Sequence, residues 1–213
     1  MITVWGRTTS SNVQIVMWAI AELGLECERL DVGGAFGGNR TPEYLAMNPN
    51  GLVPVFRDGD GLFLWESAAI VRYLGAAYGN ERFWPPSPAA RADVDKWAEW
   101  IKTTFGPVLL TGVFWPLIRV SPAQHDHAGI AAATETLKPL ARMLDTRLAG
   151  CRYLGGDDVC FADIVVGTLL YRYFTLDFER ADTPHLRAYH DRLAARPAYA
   201  KHVMVSYESL RAR

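Results

Sequence analysis

The chain has few cysteines for its length. Only three occur among its 213 residues, Cys27, Cys151 and Cys160, and they form neither a CxxC pair nor a spacing typical of metal ligands. An odd number of cysteines fits reduced, buried thiols better than a disulfide framework. The composition therefore argues against a disulfide-rich secreted domain, and we expect no bound metal.

A surplus of charge of one sign is also absent. The formal net charge is −1, and residues of both signs are interspersed along the chain. Without a basic stripe there is no electrostatic footprint for nucleic acid. The sequence contains no continuous apolar run of 18 residues, and Met1–Gly6 lacks the features of a signal peptide. We expect no nucleic acid or membrane partner and a cytoplasmic location.

The hydrophobic period changes several times within the first 80 residues. The pattern predicts, in order, a strand over Ile2–Val4, a helix with start signals at Ser10–Asn12 and a stop at Gly24, a strand over Cys27–Val32, a short helix over Thr41–Met47, a hairpin of Val53–Arg57 and Leu62–Trp65, and a helix over Ser67–Tyr78. This order predicts an α/β sandwich with a mixed four-stranded sheet.

The remaining sequence has the period of helices. Pro85, Pro86 and Pro88 interrupt regular structure, so residues 81–88 are a predicted linker between a domain of residues 1–80 and an all-helical domain of residues 89–213. The predicted helices are Ala89–Val120, with bends at Gly106-Pro107 and Pro116, then Ala123–Leu148, Phe161–Phe174, Pro184–Ala195 and Ala198–Leu210.

Two short segments carry the strongest functional signal. Pro54 follows Val53, and because proline lacks a ladder donor it opens a strand rather than lying inside one. This arrangement leaves the backbone of Val53 available to an extended peptide. Further along, Glu66 and Ser67 offer a carboxylate for an ammonium group and a hydroxyl at a helix start for a carboxylate. Together they suit an α-amino acid head group.

The predicted topology brings these segments to the start of the first helix. There, the free N–H groups of the helix and the hydroxyls of Ser10 and Ser11 attract an anion. Ordinary structural explanations also exist, because Ser10, Ser11, Asn12 and Ser67 are good helix caps and Glu66 is a first-turn acid. The combination at these spacings favours a ligand-binding cleft.

The chain resembles the cytosolic glutathione S-transferases over essentially its whole length, in particular the bacterial and plant-like group with a serine near the amino terminus. The resemblance rests on Gly6–Val13, Thr41–Leu45, Asn48–Val55, Trp65–Ile70 and Phe161–Ile164. It implies a thioredoxin-like first domain, a helical second domain, a cis Val53-Pro54 bond and a homodimer.

The resemblance also implies a glutathione transferase, in which glutathione is the co-substrate and its thiolate attacks a small hydrophobic electrophile. No cysteine precedes Cys27, so the reactive sulfur must come from the ligand. Ser10 is the expected hydrogen-bond donor to that sulfur because Asn12 follows it at the spacing of the serine-type relatives. Ser11 remains possible, and Asn12 is a candidate to assist through its amide.

Recognition of glutathione is expected in three parts. Glu66 and Ser67 bind the γ-glutamyl head, and Val53 beside Pro54 pairs with the cysteinyl backbone. The glycine carboxylate needs a cation, and no lysine precedes Lys96. Arg40 is therefore the candidate from the first domain, although surface arginines more often have no such role.

The electrophile is expected where the loop after the first strand faces the long helix. Thr104, Phe105 and Trp115 are the expected wall of an apolar pocket for flat substrates. Two alternatives stay open, namely other glutathione-dependent chemistry (isomerase, dehalogenase or peroxidase) and a non-catalytic adaptor of the same fold. A substrate panel separates the first alternative, and calorimetry with glutathione separates the second.

One departure from the resemblance concerns the start of the helix that carries Asp163. Relatives begin this helix with serine or threonine, whereas this chain has Cys160. Loss of a hydroxyl cap costs on the order of 1 kcal/mol, so we expect folding of the helical domain to depend on other contacts.

Overall fold

The computed structural model describes residues 1–61 and 63–212. Its first part contains β1 (Ile2–Trp5), α1 (Ser11–Glu22), β2 (Cys27–Leu30), α2 (Pro42–Met47), β3 (Val55–Asp58), β4 (Phe63–Leu64) and α3 (Ser67–Tyr78). The predicted order of elements is confirmed, and Thr41 caps α2 by accepting the Tyr44 N–H at 3.3 Å. Leu62, the predicted first residue of the fourth strand, lies outside the described residues.

The four strands form one mixed sheet in the order β2-β1-β3-β4. Strand β1 is parallel to β2 and antiparallel to β3, which pairs antiparallel with β4. Strand β3 begins at Val55 and not at Val53 as predicted, because Pro54 has no N–H for the ladder. Val55 pairs with Trp5 at the end of β1, so the Val53-Pro54 turn lies at the edge where the chain leaves β1.

The second part is helical, as predicted. It contains α4 (Pro88–Trp100), α5 (Gly106–Leu109), α6 (Trp115–Arg119), α7 (His127–Leu148), α8 (Phe161–Thr175), α9 (Pro184–Ala194) and α10 (Pro197–His202). Helix α7 starts later than the predicted Ala123 because Asp126 is its cap and accepts the Gly129 N–H at 2.9 Å.

The last predicted helix is shorter than expected. Helix α10 ends at His202 instead of continuing to Leu210, and Glu208–Leu210 forms a separate 3-10 turn. Val203 is fully buried, and the hydroxyls of Tyr207 and Thr175 lie 3.0 Å apart. The segment after His202 therefore leaves the helical path to pack its apolar residues against α8.

The bends predicted in the long helix are π-helical turns. Ile101–Phe105 separates α4 from α5, and Leu110–Phe114 separates α5 from α6. Each π turn ends shortly before a proline, Pro107 or Pro116, whose ring would clash with the carbonyl four residues earlier in a regular α-helix. Each wider turn accommodates its proline and keeps the chain helical from Pro88 to Arg119.

This 32-residue helical run also contains an 18-residue window with a mean hydropathy of 1.3. By length and composition alone this helical run is able to cross a membrane. The search of the sequence for a continuous apolar run did not detect this property. Core helices of soluble proteins have the same property, and Phe105, Leu109 and Val113 of this run are fully buried. These three residues belong to the hydrophobic core, and 39% of the window is buried.

Helix α1 lies between the sheet domain and the helical domain. Its apolar positions predict one buried face, but eight consecutive residues, Val13 to Ile20, are buried. The helix packs against α3 on one side and against α8 on another. At α8, an added Cβ on Gly167 would lie 3.0 Å from the Trp18 ring and 2.5 Å from Leu193, so only glycine allows this approach. Burial on all sides fixes the position of the α1 N-terminus.

Asp163 holds the start of α8 in the absence of a hydroxyl cap. Its fully buried carboxylate accepts the N–H of Cys160 at 2.9 Å, the N–H of Leu154 at 2.9 Å and the hydroxyl of Tyr189 at 2.7 Å. The last two bonds join the preceding loop and α9 to this helix start. These bonds are the other contacts that the presence of Cys160 led us to expect.

Replacement of this carboxylate tests its structural importance. Asp163→Ala leaves three buried donors without a partner, so we expect the free energy of unfolding to fall by about 3 kcal/mol or more. Asp157→Ala, at an exposed position, is the control and should change it by less than about 0.5 kcal/mol. Urea titration followed by circular dichroism measures both. Equal stabilities of the two variants would contradict this account.

Candidate functional site

A cleft of about 260 Å³ lies between the β1–α1 loop, the turn before β3 and the end of the long helical run. It is lined by Arg7, Thr9, Ser10, Ser11, Asn12, Asn39, Leu52, Val53, Leu110, Phe114, Trp115, Arg119, Arg172 and Leu210. Both parts of the chain therefore contribute side chains to it. The cleft brings together five of the predicted site residues, namely Ser10, Ser11, Asn12, Val53 and Trp115, whereas Arg40, Pro54, Glu66, Ser67, Thr104 and Phe105 do not line it.

Ser10 is the N-cap residue of α1, but its side chain makes no capping hydrogen bond. Its carbonyl accepts the Gln14 N–H at 2.9 Å, which begins the helix. A serine hydroxyl normally caps the helix in this position. The Ser10 hydroxyl is therefore available to a ligand in the cleft, beside the positive end of the α1 dipole.

The Val53-Pro54 peptide bond is cis, as the resemblance implies. Pro54 is buried, whereas Val53 faces the cleft. The turn is held from behind, because the Leu52 carbonyl accepts the Tyr44 hydroxyl at 2.8 Å and the Asn48 amide at 2.9 Å. Among the described residues, neither the N–H nor the C=O of Val53 has a hydrogen-bond partner. Both groups therefore remain free to pair with an extended peptide.

Glu66 has a backbone conformation that non-glycine residues seldom adopt. Its φ is 70°, and it is the one described non-glycine residue with a positive φ. Such a conformation costs on the order of 1 kcal/mol and recurs at ligand sites. Glu66 is exposed, whereas the neighbouring Ser67 is buried at the first position of α3. The Ser67 hydroxyl donates to Asn12 Oδ1 at 3.0 Å, which joins the starts of α1 and α3.

The sequence prediction missed Lys102, which completes this junction. Its ammonium group donates to Asn12 Oδ1 at 2.7 Å and to the Ser67 hydroxyl at 3.1 Å. Burial lowers the pKa of Lys102, and the carboxylates of Glu66 and Glu99 oppose that shift. Lys102 is the one charged residue between Glu99 and Arg119 in the long helix, and this signal was available in the sequence.

Arg40 lies next to the cleft without lining it. It is exposed, and its Nη1 donates to the Asn50 carbonyl at 3.3 Å. The guanidinium also lies against Gly51, where an added Cβ would be 2.6 Å from Nη1. Arg40 is thus held at the turn that leads to Val53, with part of its donors directed to solvent.

The predicted electrophile pocket needs correction. Phe105 is fully buried, and its ring packs against Trp100 and Tyr173 at 5.8 and 5.4 Å, so it belongs to the core and does not form a pocket wall. Thr104 is exposed and does not line the cleft. Trp115 does line it, together with Phe114. Phe105 was selected for its residue type, and packing against Tyr173 of α8 buries it.

Three arginines, which the sequence prediction also missed, line the same cleft. Arg172, on α8, is buried and donates to the Thr9 carbonyl at 2.9 Å and to Gln14 Oε1 at 3.2 Å. Burial lowers the pKa of Arg172 to about 10. Arg7 and Arg119 lie at the end of β1 and the end of α6. The cleft is therefore more cationic than the apolar pocket that the sequence predicts.

Comparisons with known proteins agree with this geometry. The family model described as "Glutathione S-transferase, N-terminal domain" matches residues 1–76, and "Glutathione S-transferase, C-terminal domain" matches residues 107–197. Among curated proteins, the chain is 40% identical to Glutathione S-transferase GstB of Escherichia coli K12, over 96% of this chain and 99% of that protein. It is 33% identical to a probable glutathione S-transferase of Oryza sativa, GSTF2, over 93% of this chain and 94% of that protein.

Solved structures give the same result. The theta class glutathione S-transferase from Xanthomonas axonopodis pv. citri, with glutathione bound, has a TM-score of 0.90 and 45% identity, over 96% of this chain and 98% of that chain. Poplar glutathione transferase F1 has a TM-score of 0.79 and 26% identity, over 94% and 95% of the two chains. With both family models matched and near-complete coverage of these relatives, the chain belongs to the glutathione S-transferase family.

Proposed function

We propose that this protein is a glutathione transferase that binds glutathione in the cleft and activates its sulfur as a thiolate for attack on a small electrophile. In this proposal residues 1–80 bind glutathione, residues 81–88 are the linker, and residues 89–213 supply the wall for the electrophile. The observation that carries the proposal is the Ser10 hydroxyl, which makes no capping bond and faces the same cleft as the unpaired backbone of Val53.

The proposed placement of glutathione follows the free backbone groups and the helix starts. Because the Ser67 hydroxyl is already bonded to Asn12 and Lys102, Ser67 offers its backbone N–H at the start of α3. The γ-glutamyl head lies at Glu66 and Ser67, and the cysteinyl backbone pairs with Val53, beyond cis Pro54. The glycine carboxylate lies toward Arg40. A tripeptide extended along this path directs its sulfur at the N-terminus of α1, where Ser10 and Ser11 face the cleft.

Thiolate formation requires a moderate amount of stabilisation. Lowering a thiol pKa from about 8.5 to about 6.5 takes about 2.7 kcal/mol. One hydrogen bond to a charged sulfur contributes about 1.5 to 3 kcal/mol, and a helix N-terminus adds about 0.3 to 1 kcal/mol. Asn12 is already bonded to Ser67 and Lys102. We therefore assign Asn12 to positioning, and Ser10 donates to the sulfur in preference to Ser11.

We also propose that the protein is a homodimer. Tyr73 and Tyr78 are 38 and 43% exposed and both donate to Asp58 Oδ2, so they lie side by side, which supports a homodimer through this surface. Sedimentation equilibrium is expected to give twice the chain mass, and Tyr73→Arg to shift it toward the monomer. A monomeric wild-type protein at micromolar concentration would contradict the dimer.

We place the enzyme in the cytoplasm, with detoxification of electrophiles as its role.

Substitution of the two serines tests the catalytic assignment. Ser10→Ala removes the donor to the sulfur, so we expect the pKa of the bound glutathione thiol to rise by about one unit or more and turnover to fall by about tenfold. Ser11→Ala is the matched control and should have a smaller effect on both. The ultraviolet absorbance of the bound thiolate, measured against pH, gives the pKa. A larger effect of Ser11→Ala would contradict the assignment.

Substitution of Lys102 tests the junction between α1, α3 and the long helix. Lys102→Met removes two charge-assisted hydrogen bonds, so we expect the free energy of unfolding to fall by about 1 to 3 kcal/mol and the affinity for glutathione to decrease. Lys96→Met, whose parent side chain is 60% exposed, should change stability by less than about 0.5 kcal/mol. Urea titration and calorimetry measure the two quantities. An unchanged glutathione affinity in Lys102→Met would show that the junction does not support the site.

A further inference from the structure

The cationic side of the cleft binds neither carboxylate of glutathione in the placement proposed above. Arg7, Arg119 and Arg172 line it, and the described lining residues include no aspartate or glutamate. Within residues 1–61 and 63–212, none of the three guanidinium groups forms an ion pair with a carboxylate. Cations gathered in a cleft without counter-charges indicate an anionic ligand.

Two of these arginines have donors that are buried and unused. The Nε of Arg172 and the Nε of Arg7 are both buried without a hydrogen-bond partner among the described residues. Arg172 is only 3% exposed. Its Nη1 donates to Gln14 Oε1, and its Nη2 donates to the Thr9 carbonyl. A guanidinium is always charged and has five donors, so an unused buried N–H represents a binding capacity that a ligand is able to satisfy.

The surroundings hold all three guanidinium groups in position. Arg7 lies against the Gly33-Gly34 loop, where an added Cβ on Gly34 would be 3.0 Å from its Cδ. Arg172 stacks on the Phe114 ring at 5.0 Å, and Arg119 stacks on the Trp115 ring at 5.5 Å. Because these aromatic rings also line the cleft, Arg119 and Arg172 each lie beside an apolar surface. A planar ligand with one charged group fits this combination.

The three cations also repel one another. The pKa of Arg7 is lowered by burial and by the charge of Arg119, and the pKa of Arg172 is lowered by burial and by Arg119 and Arg7. The thiolate of glutathione balances one positive charge. In the proposed function the two carboxylates of glutathione lie at Ser67 and Arg40, away from the three arginines. The remaining positive charge of these arginines is then balanced by the second substrate.

On the basis of that proposed function, we propose that the electrophile of this enzyme carries an anionic group, such as a carboxylate, which Arg119 binds together with Arg7 and Arg172. The sequence predicts an apolar electrophile. The arginines instead favour an electrophile that has an apolar body and an acidic end. Arg119 is the specificity-determining residue because it lines the cleft with an exposed side chain, and Trp115 is the one aromatic ring among the described residues on which it stacks.

A cationic cleft accelerates the reaction between a thiolate and an anionic electrophile. In substitution on an aryl chloride, the thiolate forms a sulfur–carbon bond, the carbon–chlorine bond breaks, and chloride leaves with its electron pair. A thiolate and an anionic electrophile repel each other in water, so their uncatalysed reaction is slowed. Arginines beside the sulfur offset that repulsion and orient the ring, and this gain is unavailable to a neutral electrophile.

A matched pair of electrophiles tests the proposal. 4-Chloro-3-nitrobenzoate and 4-chloro-3-nitrobenzamide have the same leaving group and similar size, and they differ in charge. We expect kcat/KM, divided by the uncatalysed rate constant, to favour the benzoate by roughly tenfold in the wild type. In Arg119→Gln this preference should fall by roughly fivefold or more, and Arg119→Lys should restore part of it. Arg82→Gln, which removes the same charge outside the cleft, should keep the full preference.

The possible outcomes separate this inference from the proposed function. Conjugation of the benzamide without any preference for the benzoate, or equal losses on both electrophiles in Arg119→Gln, would overturn the anionic substrate and leave the glutathione transferase intact. A rise in the KM for glutathione in Arg119→Gln with an unchanged preference would also overturn it, because the arginine would then bind the tripeptide. Absence of glutathione binding and of both conjugations would overturn the proposed function and this inference together.

Discussion

The burial of α1 is the constraint on which the rest of the site depends. Val13 to Ile20 are buried on every side of the helix, because the sheet domain packs on one face and α8 packs on another. A helix enclosed in this way is unable to rotate or shift without losing core contacts. Its N-terminus is therefore fixed where the Val53-Pro54 turn and the start of α3 meet. Arg172 adds a second restraint, because it holds the loop that precedes Ser10 through the Thr9 carbonyl.

Local signals predicted the parts of the site that local chemistry determines. Pro54 has no ladder donor, and Glu66 and Ser67 begin a helix, so both features were evident in short stretches of sequence. Arg119 and Arg172 were missed because they reach the cleft from distant parts of the chain, and Lys102 was missed because it reaches Asn12 and Ser67 in the same way. Arg7 lies in the β1–α1 loop itself, and its role was missed although its position was local. Phe105 was expected at the pocket because of its residue type, whereas its burial depends on contact with Tyr173 of α8, which is distant in sequence.

The site combines two kinds of recognition. On the sheet side, free backbone groups and helix starts suit a peptide of fixed chemistry, since hydrogen bonds to the main chain require one geometry. On the helical side, arginines stacked on aromatic rings suit a second ligand with an apolar body and a charged end. The sheet side depends on backbone groups whose positions the fold fixes. The helical side depends on side chains, which substitutions replace without a change of fold.

The central claim is that the cleft binds glutathione as a thiolate, and proton release on binding tests it most directly. Calorimetric titration at pH 7 in buffers of different ionisation enthalpy measures that release. A shift of the thiol pKa from about 8.5 to about 6.5 predicts about 0.7 protons released per site, and none with S-methylglutathione. Binding of glutathione without proton release, or no binding at all, would contradict the account.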